Sequence, residues 1–177
     1  MIITLEEAKK IFPSVSQEDL DGIEEAIRKL TNNPFQNINV RAHHLTFSGS
    51  DTINTKEALI GLRQGETVQI SNSKINDGLF VIEEIKDNKI IVEGEPQFFE
   101  IDCEEAVLTK VEYPSDILLG VKKLLKYDAK MVTKMGLKSK TVSRMSETYF
   151  DQNSGDSING YPATMMDFTK KYNRLGW

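Results

Sequence analysis

Apolar positions recur at three- and four-residue spacing at both ends of the chain and lose that spacing in the middle. Thr4 with Glu7 fits a capping box that opens a short helix, ended by Pro13. Ser16 caps a second helix, with Val15 and Leu20 at the staple positions and Leu20, Ile23, Ile27 and Leu30 as its stripe. Asn32-Asn33-Pro34 stops it. The longest periodic stretch lies at 115–134. Pro114 breaks the preceding chain, Ser115 is placed to cap, and Asp116 puts negative charge at the positive end of the helix dipole. Ile117, Val121, Leu124, Met131 and Met135 form its stripe, widened by Leu118, Leu125 and Val132. Lys122, Lys123, Lys126, Lys130 and Lys134 take the other side, and Gly136 stands where a left-handed C-terminal cap belongs.

Between these helices the period changes. From Ile38-Asn39-Val40 onward helical spacing ends, and Thr67–Ile70, Leu79–Lys86, Lys89–Val92 and Ala106–Val111 read as strands. Asp87-Asn88 makes a two-residue hairpin loop, and Asn76-Asp77-Gly78 supplies residues tolerant of positive φ. Lys56–Leu62 fits a short helix or a strand equally. Short strands at this spacing predict a small barrel or sandwich. After Gly136, Leu137–Phe150 reads as an extended arm and Asp151–Gly160 as a polar loop. Pro162 opens a last helix with Met165, Phe168, Tyr172 and Leu175 on one face. The predicted fold class is α+β: a small helical bundle, an inserted barrel-like antiparallel β-domain, and an extended C-terminal arm ending in a helix. The expected organisation is 1–33 plus 112–136 as helical core, 34–111 as the β insertion, and 137–177 as arm and helix.

Charge divides the chain. Residues 1–33, 34–112 and 113–177 carry net charges of −3, −7 and +5 within the total of −5. An acidic front is joined to a basic C-terminal third, so the two parts are suited to different neighbours. One cysteine, Cys103, excludes an internal disulfide and reads as a buried structural thiol. No run is long and apolar enough for a membrane span, and the N-terminus has no signal-peptide character. The expectation is a chain made and kept in the cytoplasm.

Enzymatic signatures are missing: no phosphate-cradling glycine loop, no GxSxG, no HExxH. His43-His44 would point to opposite faces of a strand and could not chelate one metal. Neither a metal nor a cofactor is expected. Asp128 is the oddity, a carboxylate inside the apolar stripe of the long helix, which calls for an edge position or a basic partner from another segment or subunit. Lys138, Lys140 and Arg144 raise nucleic-acid binding by a small β-barrel and a basic arm. The net acidic chain and the lack of interleaved aromatics make that the alternative reading.

Several phrases resemble the head–tail connector proteins of tailed bacteriophages, the adaptors between portal and neck. They are YPSDI at 113–117, GLKSKTVSRMSETYFD at 136–151, NGYPATMMDFTKKYNRLGW at 159–177, the opening ITLEEAKKIFP, and ISNSKINDGLFVIEEI at 70–85. The resemblance implies a structural virion protein without catalysis. It would form a homo-oligomeric ring of about twelve copies on the portal protein. It would assemble in the host cytoplasm and sit in the virion neck, meet a downstream head-closure or tail protein, and let DNA pass without specific binding. On this reading Lys138, Lys140, Arg144, Tyr149, Tyr161, Phe168, Tyr172, Arg174, Trp177 and Asp128 are candidates for contact with the portal or a neighbouring subunit. Glu83, Glu84, Glu93 and Glu95 are candidates for a channel-facing acidic wall.

Overall fold

The computed structural model describes residues 1–132, 139–142, 145–148 and 157–175, the side chains of 139–148 excepted. It is a mixed helix and sheet protein whose chain divides into two compact units: Met1 with Pro34–Glu112, and Ile2–Asn33 with Tyr113–Trp177.

The first unit is a closed antiparallel barrel of six strands. These are β1 (Gln36–Ser48), β2 (Thr52–Thr55), β3 (Thr67–Ser71), β4 (Gly78–Lys86), β5 (Lys89–Val92) and β6 (Ile101–Val111), in the order β1-β2-β5-β4-β3-β6. Of the two sheet architectures open in the sequence, the closed one forms. β1 is the strand the periodicity hides. Its register against β6 shifts between Asn37 and Arg41 and again between His43 and Leu45, and each shift reverses the in/out alternation that marks a strand. The same bulges bend a 13-residue strand around the closing barrel. β6 likewise begins five residues before the expected Ala106, because Glu104 and Glu105 are both exposed and break its alternation. Lys56–Leu62 forms neither helix nor strand.

Side chains from the strands fill the interior: Leu45, Phe47, Ile53, Val68, Ile70, Ile82, Ile90 and Leu108 are each at most 1% exposed. Phe98 stacks edge-on to Phe47 and Phe80, at 5.2 and 5.1 Å between centroids. Cys103 is free and buried. The two-residue loop Asp87-Asn88 joins β4 to β5, Asp87 taking φ of 50° where glycine is usual. In the loop before β4 the positive φ values fall on Asn72 and Lys74, not on Asn76-Asp77-Gly78. The Asp77 carboxylate instead accepts the backbone N–H groups of Ser73 at 2.7 Å and Asn72 at 3.1 Å.

The second unit holds α1 (Leu5–Lys9), α2 (Gln17–Thr31), α3 (Ser115–Met131) and a C-terminal 3-10 helix, Ala163–Tyr172. Thr4 caps α1 by accepting the Glu7 N–H. Ser16 caps α2 in a reciprocal box with Asp19, and Asn32 ends it in the left-handed conformation. The N-cap of α3 is Pro114 with no side-chain hydrogen bond, so Ser115 is already helical. Gly136 lies outside the described residues.

Two expectations for the C-terminal part change. Ser139–Val142 (β7) pairs antiparallel with Met145–Thr148 (β8), so this stretch pairs with itself rather than running as a single extended arm. The last helix is 3-10, with three residues per turn. Its buried residues are Met166 and Thr169, Phe168 and Tyr172 are half-buried as expected of an inward face, and Leu175 is 85% exposed. This helix, not α2, makes the tightest contact with α3: a Cβ on Gly120 would stand 2.5 Å from the Phe168 ring. It also serves α2, whose Thr31 carbonyl accepts the Arg174 N–H at 2.8 Å.

Replacing Gly120 by alanine forces Phe168 out of this contact. The expected loss is about 1–3 kcal/mol of stability despite alanine's better helix propensity, readable by urea unfolding.

Candidate interaction site around Asp128

The residue that stood out in the sequence becomes the centre of a site by way of a second hairpin. Ser157–Ile158 (β9) pairs with Tyr161–Pro162 (β10) across Asn159-Gly160, whose φ values are 50° and 80°. Two successive positive φ values are what a type I′ turn demands, and Asn-Gly meets the demand at low strain. The hairpin delivers the Tyr161 hydroxyl to Asp128, donating to Oδ2 at 2.6 Å. Asp128 thus has a neutral partner from its own unit. Of the two expectations, an edge position or a basic partner, its half-buried place fits the edge, and among the described residues no basic group meets it.

The carboxylate is half-buried. Burial pushes its pKa above the ordinary carboxylate range, the Asp19 charge adds to that, and the Tyr161 hydrogen bond opposes it. Burial also raises the Tyr161 hydroxyl, helped by Asp128. The Tyr127 ring lies 6.0 Å from that of Tyr161, and its hydroxyl is buried without a hydrogen-bond partner among the described residues. Around Asp128 opens a groove of about 370 Å³ walled by Phe12, Val15, Ile23, Leu125, Met131 and Val132 and bordered by Asp19. A second hollow of about 670 Å³ shares Asp19, Ile23 and Tyr161 and continues along α2 past Gly22, Ala26 and Leu30. The second hollow is also lined by Glu18, Glu25 and Lys29, the last two paired with each other. The groove at Asp128 sets two carboxylates among apolar walls with no cation in its lining, which suits an aliphatic chain that ends in positive charge.

The remaining candidates are scattered. Phe168 is half-buried against Gly120. Tyr172 donates its hydroxyl to Asp116 Oδ1, and Lys171 lies against Oδ2. Lys171 and then Tyr172 hold the Asp116 pKa below the ordinary range. Both aromatics are therefore engaged within the unit. Arg174 is exposed. Lys140 lies on β7, while Lys138, Arg144, Tyr149 and Trp177 fall outside the described residues. On the barrel, Glu83, Glu93 and Glu95 are exposed, and Glu84 pairs with Lys86 at 2.7 Å. His43 and His44 are both exposed, because the bulge after His43 leaves His44 at φ of 52° and cancels the opposite-face argument. Among the described residues no three His, Cys, Asp or Glu side chains gather as a metal site. Nor is any helix among them long and apolar enough to cross a membrane.

Compared with known protein families and with curated proteins, the chain matches none.

Sequence reasoning missed Tyr161 as the partner of Asp128, although Asn159-Gly160 was the local signal. Two tests follow from the geometry. A carboxyl whose folded pKa lies above its unfolded value binds its proton more tightly when folded, so charging it opposes folding as pH rises. Asp128→Asn is therefore expected to gain about 0.5–1 kcal/mol over the wild type between pH 4 and pH 7, measured by denaturant unfolding at each pH. Tyr127→Phe removes an unpaired buried hydroxyl and is expected to be neutral or stabilising by up to about 1 kcal/mol in the same assay.

Proposed function

We propose that this chain is a structural head–tail connector of a tailed bacteriophage, a non-catalytic adaptor that rings the portal and extends the DNA channel towards the tail. The observation that carries the reading is the split of charge between units of different architecture. The closed barrel belongs to the stretch of net charge −7, and the basic C-terminal third belongs to the helical unit. Exposed Glu83, Glu93 and Glu95 suit a wall that repels passing phosphates. The helical unit as a whole carries −3 and +5, a net +2, and its basic C-terminal third suits attachment to a protein partner. The connector-like phrases at 113–117, 136–151 and 159–177 all fall in that unit.

In this reading the helical unit is a small bundle whose C-terminal arm, including β7 and β8, completes its fold on the portal or on a neighbouring subunit. The working assembly is a ring of about twelve copies in the virion neck, followed by a head-closure or tail protein. The small barrel also favours a second reading, a nucleic-acid-binding module with the basic C-terminal segment on phosphate.

Electron microscopy of the protein mixed with the portal ring of a phage that carries this gene is expected to show added density at one end of the portal. Replacing 139–148 by a short Gly-Ser linker is expected to abolish that attachment while circular dichroism stays native-like. Bare portals with the intact protein would refute the connector reading. Tight DNA binding with a steep salt slope and no portal attachment would establish the second one.

A further inference from the structure

The groove around Asp128 has a complement on the same helix. Along α3, Leu119, Lys123, Lys126 and Lys130 are all exposed and recur at four-, three- and four-residue spacing, which makes one outward stripe. Leu119 is 54% exposed, so the stripe is apolar at one end and cationic along the rest. Leu125, Asp128 and Val132, which line the groove, lie on the opposite side of the helix at 3.6 residues per turn. Among the described residues no ion pair engages the three lysines, whereas Lys122 beside them reaches Glu7 at 3.4 Å. Asp128 meets no cation among the described residues, and Asp19 beside it accepts the capping bonds of its own helix.

We propose that the groove at Asp128 receives the outward stripe of α3 from a second copy of this chain. Lysine fits the site on both counts. Its aliphatic stem covers Ile23, Leu125 and Met131, and its ammonium reaches the Asp128 and Asp19 carboxylates. A cation there replaces part of the solvation that Asp128 loses on burial, so a carboxylate unfavourable in the single chain becomes favourable in the assembly. Because stripe and groove occupy opposite sides of one helix, the contact is heterologous. Each copy offers a stripe to one neighbour and a groove to the next, and the assembly grows until rotation closes it into a ring. This names the subunit contact of the ring proposed above and rests on that reading for closure, but the contact itself is tested without the portal.

The full-length chain is examined by sedimentation velocity at low salt over a range of concentrations. Wild type is expected to form species larger than a dimer, since a heterologous contact leaves both surfaces of a dimer open. Asp128→Lys, and separately the pair Lys126→Glu with Lys130→Glu, are expected to weaken association at least about tenfold. Mixing the two variants is expected to restore it, because each then supplies the charge the other lacks. That rescue also shows that both variants are folded. Asp128→Asn is expected to associate less than wild type even where it is the more stable protein, which a purely structural Asp128 would not do. A wild type monomeric at every concentration would overturn the proposal, as would assembly indifferent to these charges or variants that mixing does not rescue. Charge-indifferent oligomers that still ring the portal would remove this groove and leave the connector reading in place. Monomers that leave the portal bare would remove both.

Discussion

The pairing of β1 with β6 is the constraint on which this chain's organisation depends. It runs from Gln36 opposite Val111 to Phe47 opposite Ile101, with the Glu112 N–H donating to the Phe35 carbonyl at 2.8 Å just beyond it. Two things follow from one ladder. The sheet has no free edge, which removes the usual route to edge-to-edge aggregation. The entry and exit of the barrel are also neighbours, so the segments on either side of it belong to one unit although some eighty residues separate them. Bulges are the cost of closure in β1, and with them His43 and His44 both stand at the surface.

In the helical unit the same economy applies to the C-terminal segment. The 3-10 helix fills the notch at Gly120 with Phe168, satisfies the Thr31 carbonyl through the Arg174 N–H, and holds the N-terminal end of α3 through Tyr172 and Lys171 on Asp116. The aromatics near the terminus are thereby drawn inward. Among the described residues there remains a groove between apolar residues of α2 and α3, with a carboxylate at its centre that a tyrosine hydroxyl reaches.

Legibility followed locality. α2 was readable because its cap, staple and stripe are all local: Ser16, Val15, Leu20 and Ile27 behave as their spacing demands. The β4–β5 hairpin was readable because its loop residues sit between two alternating runs. β1 was not, since bulges scramble period two and barrel closure is a property of the whole sheet. The final helix was misread in detail because Met165 and Leu175 fall in line with Phe168 and Tyr172 at a period of 3.6, whereas at three residues per turn Met166 and Thr169 are the buried positions and Leu175 is exposed. Asp128 could be singled out from sequence as a misfit. Its partner could not, because 33 residues separate it from Tyr161. The Asn159-Gly160 turn that brings them together announces a hairpin without saying where the hairpin lands.

Asp128 then poses a question that single-chain stability does not answer. An isolated fold would be served as well or better by asparagine, which keeps a carbonyl for Tyr161 without charge in a half-buried place. Retaining the acid makes sense when something positive arrives, and the lysines on the far side of the same helix are the nearest such supply in a second copy. A rigid helix carrying complementary surfaces on opposite sides transmits orientation directly from one contact to the next, with no hinge to blur it. In the proposed ring, closure would be set by the angle between the two surfaces around α3, so the helix that anchors the unit would also determine how many copies close it.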